Sequence, residues 1–146
     1  MDNDPNVERE RAKHPKRIVA VVFLYDRNGR VLLVRTKRLP NQWQPIGGGM
    51  KPHDASVEAT AIREVQEETR LSLAEGTIEK VLETPYDFGD GSVHFFRVRV
   101  PDGTTLTMDD VELAEWRWVA LADVASLPTF PATATCVAYL LSRPWP

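Results

Sequence analysis

Cysteine is almost missing from this chain of 146 residues. Cys136 stands alone, so no internal disulfide can form and a cysteine-based zinc site has no ligands. Histidine is scarce too, and His14, His53 and His94 are too scattered to suggest paired metal ligands. No apolar run approaches the roughly 18 residues of a membrane span. The start, MDNDPNVERE, lacks the apolar stretch of a signal peptide. Positive charge is not in excess: 18 Lys and Arg face 21 Asp and Glu, a net charge of −3. That leaves no basic field to draw in a nucleic-acid backbone, so a DNA or RNA polymer is not the expected partner. Together these absences predict a protein of a reducing compartment, the cytoplasm, without a membrane partner.

What is present suits an ordinary globular fold, with 42% hydrophobic and 27% charged residues. The length suits one domain with one core. Residues 1–17 are charge-rich and carry two prolines, which predicts a flexible, solvated N-terminal arm with room for a short helix. A single domain is expected over 18–146. Residues 18–25 (IVAVVFLY) are continuously apolar and rich in β-branched side chains, the pattern of a strand covered on both faces. The turn Asp26-Arg27-Asn28-Gly29 leads into a returning strand at 31–36. Residues 37–54 show no period and hold Pro40, Pro45, Pro52 and Gly47-Gly48-Gly49, so a structured loop is expected. Good helix formers follow from Ser56 to Thr69, with Asp54 or Ser56 as cap. Further strands are predicted at 77–82, 93–100 and 116–119, with turns at Asp90-Gly91 and Asp102-Gly103. A last helix is expected at 132–141, with Val137, Leu140 and Leu141 as its apolar stripe.

On the central helix Glu64, Glu67 and Glu68 fall at i, i+3 and i+4, so their carboxylates share a face. Like charges at that spacing oppose helix formation by about 0.2–0.5 kcal/mol per pair, which calls for a compensating partner. A hard divalent cation such as Mg²⁺ accepts a few carboxylate oxygens together with water and substrate phosphate. Arg63 stands where it can fix a carboxylate rotamer, and Ala59, Ile62, Val65 and Thr69 are left to pack on the sheet. A solvated acidic helix is the plain alternative. The adjoining glycine run speaks for a site, since glycine lets backbone approach a ligand closely. The run has no Gly-Lys-Ser/Thr ending and does not fit the dinucleotide fingerprint.

The stretch Gly49 to Leu71 (GMKPHDASVEATAIREVQEETRL) resembles the box of the Nudix hydrolase family. Gly49, Arg63, Glu64, Val65, Glu67, Glu68 and Leu71 match in register. Ala55 stands where the first Glu is expected, with Asp54 one residue early, and Arg70 replaces the closing Gly. The first departure bears on a residue that braces loop and helix. The second puts a side chain where left-handed backbone often ends a helix, unless Arg70 prolongs the helix by a turn. Gln42 to Gly48, the aromatic segment Val93 to Phe96 and the stretch Glu112 to Val119 are similar to further parts of the family.

The resemblance implies an α/β/α sandwich with a mixed sheet and the box helix packed on it. It also implies a Mg²⁺-dependent hydrolase, Mn²⁺ being an alternative ion, that cleaves the diphosphate bond of a nucleoside di- or triphosphate derivative of MutT-like, nucleotide-sugar or ADP-ribose type. On this reading Glu64, Glu67, Glu68 and the Gly48 carbonyl hold metal, Arg63 orients a glutamate, and Glu64 or Glu67 serves as base. Glu112 is a further candidate for ligand or base. Gly48, Gly49 and Arg35 are the expected substrate contacts. Family members often pair, which allows for a homodimer. A catalytically impaired nucleotide-binding or regulatory domain is the alternative function. Isopentenyl diphosphate isomerisation is not expected, because no cysteine lies near the loop.

Other residues carry two readings from sequence. Arg35 suits either a phosphate contact or a surface ion pair. Tyr86 and Phe88 suit either base stacking or local packing. Trp43, Trp116 and Trp118 are read as packing residues, and Cys136 as an inert apolar one. Residues 84–91 and 101–110 are expected to frame the variable part of the ligand.

Overall fold

The computed structural model describes residues 4–13, 16–143 and 145. His14 and the first three residues of the expected arm lie outside the described residues. The apolar run becomes β1 (Lys16–Tyr25), and its pattern follows from its place at the centre of a six-stranded mixed sheet. It runs parallel to β5 (Asp90–Arg99) on one side. On the other it is antiparallel to β2 (Arg30–Thr36) and β3 (Ile46–Gly49). With β4 (Glu79–Pro85) and β6 (Leu113–Ala120), the order is β4-β5-β1-β2-β6, β3 pairing with β1 off this path.

Alternate residues of β1 feed two separate cores. Ala20, Val22 and Leu24 pack with Leu32, Val34 and Phe96 beneath helix α2 (Val57–Thr69), which contributes Ala61 and Val65. Val21 and Phe23 face the other way, toward Leu33 and Phe95, under helix α3 (Pro131–Leu141). Helices thus cover both faces, and the expected α/β/α sandwich is the fold. Fully burying a Val or Leu is worth roughly 1.5–3 kcal/mol, so neither face of β1 tolerates a polar residue cheaply.

Four local expectations change. The first residues are not a wholly solvated arm: helix α1 (Pro5–Lys13) buries Val7 completely in the second core. Within the expected loop 37–54 lies β3, a strand that three glycines hide because they offer no alternating side chains. It is placed by pairing, Val19 to Val22 of β1 against Gly49 to Ile46. The β4–β5 turn sits at 87–89, so Asp90 and Gly91 already belong to β5. In α3, Leu141 is exposed and Ala132, Thr133 and Cys136 join Val137 and Leu140 in the buried face.

Candidate active site

The approach to α2 is tied down before any charge reaches the site. Ser56 caps the helix, its Oγ accepting the Ala59 N–H at 3.0 Å. Asp54 lies just upstream with a nearly buried side chain, and its Oδ2 accepts from the Lys51 N–H and the Thr60 hydroxyl, each at 2.9 Å. Arg63 donates to both Asp54 oxygens at 2.9 Å and, through Nη2, to the Gly49 carbonyl at 3.1 Å. The Arg63 guanidinium holds the Asp54 carboxyl well below the usual carboxylate range. Asp54 therefore supplies the brace between loop and helix that Ala55 cannot.

Arg63 also reaches Glu64 at 3.1 Å and Glu67 at 3.3 Å through Nη1. The three glutamates part company here. Glu64 and Glu68, one helical turn apart, are buried and hydrogen-bonded to each other. Glu67 turns outward with half its side chain exposed. Burial, then the neighbouring like charge, raises the Glu68 carboxyl well above its ordinary value. Burial raises Glu64 as well, against the pull of Arg63. The Gly47 N–H supports Glu68, and the charge of Glu112 weighs against it. Glu68 Oε2 is buried without a hydrogen-bond partner.

Gly48 completes this side. A Cβ built there would run into the Glu64 carboxylate, so the missing side chain makes the space in which that carboxylate lies. Among the described residues no three Asp, Glu, His or Cys side chains are gathered as a metal cage. Two buried carboxylates with an unsatisfied oxygen nevertheless form an all-oxygen donor set that fits a hard divalent ion.

Gly47 and Gly48 also line a cleft floored by Val19, Val21, Val93 and Phe95, enclosing about 760 Å³ of atom-free space that is partly open to solvent. Arg17 and Arg38 are its cations. The Arg17 guanidinium lies where a Gly49 Cβ would be, so this arginine rests directly on the glycine strand. Sequence reading placed Arg17 in the arm; the only signal for it is the strand register that sets Val19 opposite Gly49. Tyr86, Asp87, Phe88, Phe130 and Thr133 form the far wall.

Other expected residues lie elsewhere. Arg35 donates to Glu115 at 2.6 and 3.0 Å and to the Pro40 carbonyl at 2.6 Å, which makes it an ion pair and not a wall of the cleft. Trp43 is buried, with the Arg35 and Arg117 guanidinium groups 5.4 and 4.7 Å from its ring centroid. Trp118 packs on the first core, whereas Trp116 is 43% exposed. Residues 101–104 line a different groove with Trp116, so only the 84–91 segment reaches the cleft. Cys136 is buried, and desolvation pushes its thiol up to about 12, as an inert residue requires.

Comparison with known proteins agrees with this fold. Mouse diphosphoinositol polyphosphate phosphohydrolase 3-alpha is 36% identical over 72 residues, 49% of this chain and 43% of that protein. Human diphosphoinositol polyphosphate phosphohydrolase 2 is 40% identical over 70 residues, 47% of this chain and 38% of that protein. The chain thus spans less than half the length of these relatives. Among solved structures, the E. coli dihydroneopterin triphosphate pyrophosphohydrolase superposes with a TM-score of 0.72 at 16% identity, over 87% of this chain and 96% of the other, a likeness of fold. The family model for the NUDIX domain matches residues 14–140, and the chain belongs to that family.

Proposed function

We propose that this chain hydrolyses the diphosphate bond of a nucleoside di- or triphosphate derivative with the help of Mg²⁺ or Mn²⁺. The observation that carries this reading is the burial of Glu64 and Glu68 beside the glycine strand, whose Gly47 and Gly48 also line the cleft. Glu64, Glu68, the Gly48 carbonyl and, after a turn of its exposed side chain, Glu67 would hold the ion. A divalent ion bound there would neutralise phosphate charge and lower the pKa of coordinated water. Arg63 holds Glu64 and Glu67 in place, and one of these carboxylates takes the proton of the attacking water. Arg17, on the strand between carboxylates and cleft, supplies positive charge to the phosphates in the place first assigned to Arg35.

The test is a product assay. Purified protein with Mg²⁺ is incubated with nucleoside triphosphates, nucleotide sugars and ADP-ribose; a nucleoside monophosphate product is expected from at least one. Glu64→Gln and Glu68→Gln should each lower turnover by roughly 10²-fold or more, the scale on which a general base or ligand acts. Full activity in both variants would sink the assignment.

A further inference from the structure

Resting on that reading, we propose that the cleft seats the organic half of the substrate and that Asp87 selects a 2-amino-4-oxopyrimidine edge, as carried by guanine and by pterins. Asp87 is the one acidic side chain lining the cleft among the described residues. It is also held still, because its Oδ1 accepts the Ala132 N–H at 3.1 Å at the start of α3, a helix with no side-chain cap of its own. A carboxylate has about four acceptor positions, so this bond leaves others for a ligand.

The surroundings say what kind of ligand. Tyr86, Phe88 and Phe130 stand edge to face in a continuous wall, with centroids 5.3 and 5.1 Å apart. Valine side chains and Phe95 make the floor. Such walls suit a flat, uncharged heterocycle. A ring bearing phosphates on many carbons would set its charges against those faces and against Asp87, with Arg17 and Arg38 as the only lining cations among the described residues to offset them.

Within that class the carboxylate discriminates by donor pattern. Guanine and pterins place a ring N–H beside an exocyclic amino group, so two donors meet two acceptor oxygens. Adenine and cytosine pair their amino group with a ring nitrogen acceptor, whose lone pair would face the carboxylate. Uracil flanks its one N–H with two carbonyls. Burial raises the Asp87 carboxyl above its ordinary value, and hydrogen-bond donors are what would hold its charged form there.

The experiment compares kcat/KM for GTP, a pterin triphosphate, ATP, CTP and a diphosphoinositol polyphosphate, in the parent and in Asp87→Asn. Asparagine keeps an oxygen for the Ala132 N–H and exchanges the remaining acceptor for a donor. The expected parent order puts GTP or the pterin triphosphate at least tenfold above ATP, the worth of one hydrogen bond to a charged group. The two arms distinguish the two sources of the edge. In Asp87→Asn the GTP-to-ATP ratio falls by tenfold or more while the melting temperature stays near the parent's. A role confined to capping α3 would lower all substrates alike and leave that ratio unchanged, which would overturn the proposal. So would preference for ATP or for the inositol compound. If the parent hydrolyses none of them, calorimetry with GMP and AMP decides the base: tighter GMP binding lost in Asp87→Asn supports Asp87, equal affinities refute it; the pyrophosphohydrolase reading falls separately, if nucleotide sugars and ADP-ribose are left intact as well.

Discussion

At the scale of single residues, the proposed function and stability pull in opposite directions at Glu68. The residue is 4% exposed, one of its carboxylate oxygens has no hydrogen-bond partner, and the neighbouring Glu64 adds like charge. In the unfolded chain the side chain ionises near the ordinary glutamate value of about 4.3, whereas in the fold it resists ionisation. The buried charge therefore subtracts from stability above that value, and the loss disappears once both states are protonated at lower pH. Glu68→Gln should accordingly stabilise the metal-free protein while abolishing turnover. A gain of about 1 kcal/mol corresponds to roughly 2–4 °C in a chain of this size. The gain should be largest near about pH 8 and vanish toward about pH 4. Thermal unfolding in chelator across that range measures it, and a variant less stable than the parent at the alkaline end would show that the carboxylate is satisfied by something else.

The elements differ in how plainly the sequence announces them. β1 was legible because both its faces are buried, leaving an unbroken apolar run, and α2 because Ser56 opens it and its apolar residues recur at helical spacing. β3 was not, since glycine carries no side chain with which to mark a period of two. The acidic cluster was legible as a face but not as a geometry: helical spacing put Glu67 with the others, and only burial against β3 separates it from Glu64 and Glu68. Arg17 and Asp87 reach the cleft through pairings that no local pattern records. The end of α2 settles the choice left open for Arg70. The helix stops at Thr69, and Arg70 takes the left-handed conformation at φ 65°, the only non-glycine residue with positive φ among those described. Left-handed backbone costs an L-residue about 1–2 kcal/mol, while glycine adds back about 0.5–1 kcal/mol of chain entropy. Arg70→Gly should thus gain up to about 1 kcal/mol, seen as a higher denaturation midpoint with unchanged slope. A loss would mean that the Arg70 side-chain bond to the Glu67 carbonyl, 3.2 Å long, outweighs the strain.

In the molecule as a whole, β3 is a thin partition between two unlike environments. The carboxylates of α2 lie against it in one layer of the sandwich, and the aromatic cleft opens in the other. Bulkier residues could not be this partition: a Cβ at Gly47 would meet the β1 backbone, and one at Gly48 the Glu64 carboxylate. A substrate with a charged end and an apolar end can lie across such an edge with each end in matching surroundings. Under the proposed function the same arrangement would couple ion binding to folding, because the oxygens converge only when α2 is docked on the sheet. Millimolar Mg²⁺ should therefore raise the melting temperature relative to chelator, by about 2.7 kcal/mol of added stability at a hundredfold excess over Kd. The raised Glu64 and Glu68 carboxyls set the sign of its pH dependence. Protons compete with the ion for the same oxygens, so the Mg²⁺ effect should grow from about pH 5 to about pH 8. Scanning calorimetry of the parent and of the doubly substituted Glu64→Gln, Glu68→Gln protein tests this. A Mg²⁺ shift that survives in the double variant, or one that ignores pH, would place the ion on other residues.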